Sequence, residues 1–246
     1  MEISLSGRAV VTGAASGIGR ATAEAMRDAG ADVLAVDRSA EGLATLSGME
    51  TLCVNLADDE QRANLIEEAA GSRYLVNAAG LMRMKNILDF TAQDVRDIYA
   101  VNVEAVWELT SGLGRHIPSG GAIVNLSSVS ARLPTTLETA VYASSKAAVV
   151  SITRSFAYAF APANVRVNAV LPGIVNTGMQ DLVLEELARL RGSTVAEISQ
   201  ARLGMVPLRR EADPSETAAL ICFLLSDLSG YITGQAILQD GGIVTG

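Results

Sequence analysis

The chain has only two cysteines, Cys53 and Cys222, far apart in sequence, and neither has a partner that suggests metal or nucleophilic chemistry. A disulfide framework, a metal centre and a thiol enzyme are therefore not expected. There is a single histidine, His116, near the end of a predicted helix, where a structural role is the better reading than a catalytic one. Long apolar runs are absent as well. The longest strongly apolar stretch, residues 217–225, falls far short of the roughly 20 residues that span a bilayer, which argues for a soluble protein. Residues 1–7 show no basic segment followed by an apolar one, so a reduced, cytoplasmic setting is expected. No basic cluster interrupts the net charge of -8, a balance that would repel a phosphate backbone. A small-molecule ligand is expected rather than nucleic acid. Nor is there a linker, repeat or low-complexity block, so the 246 residues are read as one domain, 1–246.

What is present is alternation. Short β-branched runs at residues 8–12, 32–36, 51–54, 74–77, 122–126, 166–170 and 236–239 are separated, almost throughout, by longer helical patterns. This predicts βαβ units with right-handed crossovers, hence an α/β fold with a parallel sheet covered by helices on both faces. One long interruption, residues 176–208, has helical periodicity, follows a Pro-Gly turn and precedes another proline. It fits a lid over a substrate site, with a structural helical insert as the alternative.

The first strand ends in Thr12-Gly13-Ala14-Ala15-Ser16-Gly17-Ile18-Gly19 and passes directly into a helical pattern. Gly13 permits a tight turn, Gly17 and Gly19 let backbone approach a pyrophosphate, and the helix start offers unpaired N–H groups and a positive dipole end. Glycines in turns are common, but the second strand ends at Asp37, where an acid can bind the adenosine ribose. Together they favour a dinucleotide. A 2′-phosphate beside Asp37 would meet repulsion of roughly 4 kcal/mol per charge pair at about 4 Å and an effective dielectric of 20. Ser16 supplies no compensating cation, although Arg38 could offset part of this, so NAD(H) is expected over NADP(H).

Further motifs follow in order: Asn77-Ala78-Ala79-Gly80, Asn102, Ser128, Tyr142-Ala143-Ser144-Ser145-Lys146, Pro172-Gly173 through Thr177, and Asp240-Gly241-Gly242. With the glycine turn, this series resembles the short-chain dehydrogenase/reductase family over nearly the whole chain. The resemblance implies a single Rossmann-type domain with a doubly wound seven-stranded sheet, a homotetramer, and catalytic residues at Asn102, Ser128, Tyr142 and Lys146. It implies cofactor contacts from Gly13, Ser16, Gly17, Ile18, Gly19, Asp37, Asn55, Leu56, Asn77, Ala78, Gly80, Pro172, Gly173, Val175 and Thr177, besides Tyr142 and Lys146. Asn55 stands where the family commonly has an aspartate near the adenine, and an amide can still bond the adenine amino group. The Ser128–Tyr142 separation is one residue longer than the commonest family spacing. That leaves the shape of the 129–141 loop open, and with it the choice of Ser128 over Ser127.

The chemistry suits these residue types. Oxidising an alcohol as a hydride leaves needs a base for the hydroxyl proton, and reduction needs an acid for the developing alkoxide. Tyr142 can serve as either if its pKa, ordinarily about 10, falls by roughly 2 to 3 units. Lys146, four residues on and so on the same helix face, is a cation able to lower it. By the resemblance, Ser128 holds the substrate oxygen and Asn102 holds a water that relays protons from Lys146. Residues 79–84 and 177–180 resemble dihydrodihydroxybenzoate dehydrogenases, and other parts resemble hydroxybutyrate and keto-deoxy sugar-acid dehydrogenases. These suggest a small, polar substrate, carboxylate-bearing or polyol-like, for which Arg83, Arg132, Arg189 and Arg202 are candidate anion donors. An NADPH-dependent carbonyl reductase and a non-catalytic dinucleotide sensor are the alternatives. The helical patterns at 94–113 and 143–160 hold more apolar positions than one sheet face needs, as subunit pairing would require.

Overall fold

The computed structural model describes residues 3–133 and 136–245. The extreme ends of the expected domain, and Pro134 and Thr135 of the 129–141 loop, lie outside the described residues. The first half runs β1 (Gly7–Thr12), α1 (Gly17–Asp28), β2 (Ala31–Asp37), α2 (Ala40–Leu43), β3 (Glu50–Cys53), α3 (Asp59–Glu68) and β4 (Tyr74–Asn77). Next come α4 (Ala92–Tyr99), a π-helical turn (Ala100–Glu104), α5 (Ala105–Gly114), β5 (Ala122–Leu126), α6 (Ala140–Phe160) and β6 (Arg166–Pro172). The chain closes with α7 (Gly178–Arg191), α8 (Val195–Gly204), α9 (Pro214–Leu225) and β7 (Ala236–Gln239).

The strands form one seven-stranded sheet in the order β3-β2-β1-β4-β5-β6-β7, and each neighbouring pair is parallel. Successive side chains of a strand face opposite sides, and both sides are buried here. Ala9 and Val11 of β1 join Met26 of α1 and Ile221 and Leu224 of α9 on one face. Val10, between them, joins Leu65 of α3, Leu109 of α5 and Phe156 of α6 on the other. This is the doubly wound α/β arrangement. Strand order reverses between β1 and β4, and the crevice beyond the carboxyl ends of those two strands is where such folds bind ligands.

All seven expected strands are present, with ends shifted by at most two residues. The largest change is in β6, which continues from Val170 to Pro172 because Leu171 and Pro172 still pair with Leu238 and Gln239 of β7. The 176–208 segment forms α7 and α8 and is pinched at its base by backbone bonds from Asn176 N–H to Ala212 O (2.9 Å) and from Ala212 N–H to Ile174 O (2.9 Å). It has a small apolar core of its own, in which Val183, Leu184, Leu187 and Ile198 pack with Met84 and Met82 from the loop after β4.

Candidate active site

The glycine turn is shaped by contacts that only glycine tolerates. Gly13 has φ +71°, and a Cβ there would lie 2.8 Å from the Ala79 backbone. Close approach of the turn to the loop after β4 is thus fixed by a missing side chain. Thr12 completes the junction, its hydroxyl accepting from Ala78 N–H (3.1 Å) and Ala79 N–H (3.2 Å). Gly17, with φ +54°, faces Thr177, whose Cγ2 would be 3.2 Å from an added Cβ. Gly19 differs from the expectation that it admits a pyrophosphate: a Cβ there would meet Gly13 O at 2.1 Å, so its role is to let α1 pack on the turn. Across the crevice, a Cβ on Gly173 would fall 2.7 Å from Asp240 Cα. Asp240 fixes the last loop by accepting from Gly242 N–H and Val244 N–H, both at 2.9 Å.

These segments line a cleft of about 1210 Å³. Ordinary ligand pockets measure roughly 300–1,000 Å³, so there is room for a dinucleotide and a small substrate together. Among the described residues the cleft wall takes in every expected cofactor position except Asn77, together with Ser128, Tyr142 and Lys146. Asp37 sits at one end with its carboxylate accepting from Ala15 N–H (3.1 Å) and Ser39 N–H (2.9 Å), which leaves lone pairs for a ribose hydroxyl. Asn55 Oδ1 accepts from Ala57 N–H at 3.1 Å, so its side-chain NH₂ is the freer group toward an adenine. Asn77 is a correction. Its amide is buried behind the sheet, donating to Asn125 Oδ1 (2.8 Å) and Thr110 Oγ1 (3.1 Å), where it ties β4 to β5 and α5. His116 is exposed beyond α5 and does not line the cleft.

At the cleft floor, Tyr142 and Lys146 are one turn apart on α6 and both are buried. The Lys146 Nζ donates to Leu126 O (2.8 Å) at the end of β5 and lies 5.7 Å from the centre of the Tyr142 ring. Ser127 and Ser128 separate cleanly. The Ser127 hydroxyl donates to Lys146 O at 2.7 Å and holds α6 to β5. Ser128 lines the cleft and lies near the Tyr142 phenol, on which it has a small acidifying effect. Burial outweighs it and pushes Tyr142 up to about 12, against the expected fall. The same burial pulls Lys146 down to about 8.

Asn102 is fully buried and does not line the cleft. Its Oδ1 accepts from Leu81 N–H (2.7 Å), while Nδ2 donates to Leu81 O (2.9 Å) and Ser145 Oγ (2.9 Å). Both amide hydrogens are spent, so the side chain is a clip joining the π-helical turn, the loop after β4 and α6. Its Oδ1 keeps a lone pair able to accept from a water. Sequence reasoning had no signal for the Leu126 carbonyl, a backbone group, nor for Gln180, a buried amide on the cleft wall.

A family model described as enoyl-(acyl carrier protein) reductase matches residues 13–244. The chain is 34% identical over 253 residues to L-2,3-butanediol dehydrogenase of Corynebacterium glutamicum, covering 96% of this chain and 98% of that one. It is 35% identical over 254 residues to L-xylulose reductase of Cavia porcellus, covering 99% of each. The crystal structure of L-sorbose reductase from Gluconobacter frateurii, complexed with NADPH and L-sorbose, superposes with a TM-score of 0.91 at 29% identity and 100% coverage of both chains. Sheet order, glycine turn and cleft define a Rossmann-type nicotinamide-dinucleotide oxidoreductase acting on CH–OH groups. The chain belongs to the short-chain dehydrogenase/reductase family.

The depressed Lys146 pKa makes a prediction about stability. As pH falls from 10 to 7 the unfolded chain protonates this lysine first, while the folded protein takes up the proton only near 8, so acidification costs stability. Without dinucleotide, Lys146→Met should gain on the wild type by roughly 2 kcal/mol between pH 10 and pH 7. Urea unfolding of both proteins at the two pH values measures this, and a pH-independent difference contradicts it.

Proposed function

We propose that this protein is an NAD(H)-dependent oxidoreductase interconverting a secondary alcohol and a ketone on a small polar substrate, with Tyr142 transferring the proton. The observation that carries this reading is the buried pair of Tyr142 and Lys146 beside Ser128 on the cleft floor. In the oxidative direction the Tyr142 phenolate takes the substrate hydroxyl proton; in reduction the phenol gives it back to the developing alkoxide. Ser128 donates to the substrate oxygen and holds it at the phenol. A Lys146 ammonium, with its Nζ 5.7 Å from the centre of the Tyr142 ring, favours the phenolate. With the positive charge of an oxidised nicotinamide it would oppose the burial that raises Tyr142 in the free protein. Asn102 acts by positioning Leu81 and α6.

The nicotinamide, when bound, supplies the hydride acceptor or donor and, oxidised, a further positive charge. The 13–19 turn, with Ser16 and Ile18, would hold its pyrophosphate, Asp37 its adenosine ribose, and Asn55 and Leu56 its adenine. Ala78 and Gly80 would flank the nicotinamide ribose with Tyr142 and Lys146, and Pro172, Gly173, Val175 and Thr177 the carboxamide. The missing Cβ of Gly80, which would lie 3.5 Å from Lys146 Nζ, favours close approach there. Residues 176–208 act as the lid within a single domain. Two free cysteines, one exposed and one buried, suit a cytoplasmic setting. Trp107, half exposed on α5, and Tyr158, 88% exposed on α6, suit a homotetramer with helices paired between subunits.

A second reading, NADPH-dependent carbonyl reduction, draws on Arg38 in the cleft wall and on the NADPH of the L-sorbose reductase complex. A non-catalytic sensor would have no use for a buried lysine beside a tyrosine.

Tyr142→Phe should lower turnover at least about a hundredfold with little change in NADH affinity, on whichever of butane-2,3-diol, L-xylulose or a hydroxy acid the wild type accepts. Alcohol oxidation should rise with pH as Tyr142 ionises, and Lys146→Met should move that rise to higher pH. Near-normal turnover by a folded Tyr142→Phe protein would sink the assignment. Steady-state kinetics with both dinucleotides should favour NAD over NADP by at least about tenfold, with the preference relaxed by Asp37→Ala. Equal efficiency in the wild type contradicts the role of Asp37. Light scattering at micromolar concentration should report a tetramer, and a stable monomer refutes the pairing.

A further inference from the structure

The cleft wall formed by the lid is largely apolar, with Met179, Val183, Leu187 and Met205 facing the same space as Met82. Arg202, on α8, stands in this wall with its Nε buried and without a partner. Among the described residues its guanidinium makes one side-chain hydrogen bond, from Nη2 to Gln180 Oε1 at 3.3 Å. Gln180 is neutral and itself buried. A half-buried guanidinium whose Nε is buried without a partner is left costly, since charge out of water is tolerated when paired and bonded. The other arginines considered for an anion are accounted for. Arg83 is paired with Asp94 (3.0 Å) and Asp97 (2.7 Å), Arg189 is exposed and paired with Glu186, and Arg132 is exposed. Arg191 pairs with Glu138 at 3.1 Å, yet its charge still bears on Arg202, more strongly than that of Glu211, which acts in the opposite sense.

Placement supports a substrate role. Gln180 lies in the first turn of α7, three residues past the capping residue Thr177, which packs on Gly17 of the glycine turn. The arginine and amide line the same cleft as Ser128 and Tyr142, on the wall that the lid supplies. We propose that Arg202 and Gln180 form a carboxylate-binding subsite, so that the substrate is a hydroxy acid and the product its oxo acid. The planar fork of arginine matches a carboxylate in two parallel bonds, and the methionine wall takes a short apolar body. This deepens, and rests on, the alcohol–ketone function proposed above.

The test compares acetoacetate with methyl acetoacetate, which carries the same ketone without the charge. With NADH, kcat/KM should favour the acid by about tenfold or more, the lower end of what a charge-assisted hydrogen bond contributes. Most of the difference should lie in KM. Arg202→Met should collapse the acid-to-ester ratio toward one, Arg202→Lys should keep part of it, and Gln180→Ala should reduce it. Binding is read separately by NADH fluorescence in a Tyr142→Phe background, with acetate and benzoate as further carboxylates. There the acids should bind more tightly than the ester until Arg202 is replaced. An Arg202-dependent preference in binding, with no turnover of either ketone by the wild type, would leave the subsite standing and remove the oxidoreductase reading for these ketones. Turnover of acid and ester with equal efficiency, or a ratio untouched by both Arg202 variants, overturns the subsite and leaves the oxidoreductase standing. Failure of all three carboxylates to bind also overturns it.

Discussion

Two ionisable side chains share the buried floor of the cleft, and a backbone carbonyl anchors the lysine's charged end there. Tyr142 and Lys146 are both buried, and the Lys146 Nζ reaches Leu126 O at the end of β5. Burial raises one pKa and lowers the other, so each group is pushed toward its uncharged form. Such an arrangement is unfavourable on its own and persists only if the surroundings are over-determined. The Ser127 hydroxyl bonds the Lys146 carbonyl, and Asn102 clips the loop after β4 to Ser145 on the same helix. The bulge of the π-helical turn carries Asn102 into that position, in keeping with the tendency of such bulges to mark functional regions.

The cleft lies where it does because of the sheet. Reversal of strand order between β1 and β4 opens a crevice at their carboxyl ends, and Gly13 lets the two loops meet within van der Waals distance. Asp37, two strand spacings from the β4 loop, sets the charge at one end of that crevice. In the same cleft the lid brings a cation, Arg202, into an apolar wall. The cleft thus holds an anionic group suited to hydroxyls and, on the lid, a cationic one suited to an acid, with the tyrosine in the same wall.

Much of this was legible in the sequence because it rests on local pattern. All seven strands follow from β-branched runs, and the glycine turn follows from its own spacing. What escaped depends on partners that no local pattern reveals. Asn77 and Ala78 are neighbours, yet a strand sends successive side chains to opposite sides, and Asn77 goes to the buried ladder with Asn125. The bonds of Asn102 to Leu81 and Ser145 join three separate segments, which no local pattern reveals. Four arginines looked equivalent as anion donors; three are exposed or neutralised by acids, and a burial pattern alone cannot tell which. The Tyr142 pKa failed for a related reason, since helix spacing gives the lysine's direction and omits the loss of water around both groups.

The central claim is that burial and nearby positive charge compete for the Tyr142 proton. The direct measurement is the ionisation of this residue by NMR of ring-labelled tyrosine, with Tyr142→Phe identifying the signal, in the free protein and with saturating NAD⁺. The account predicts a free-protein pKa near 12 and a fall of about two units or more with the oxidised dinucleotide bound. A phenol that titrates at or below its ordinary value without dinucleotide, or whose pKa does not move when NAD⁺ binds, would contradict it.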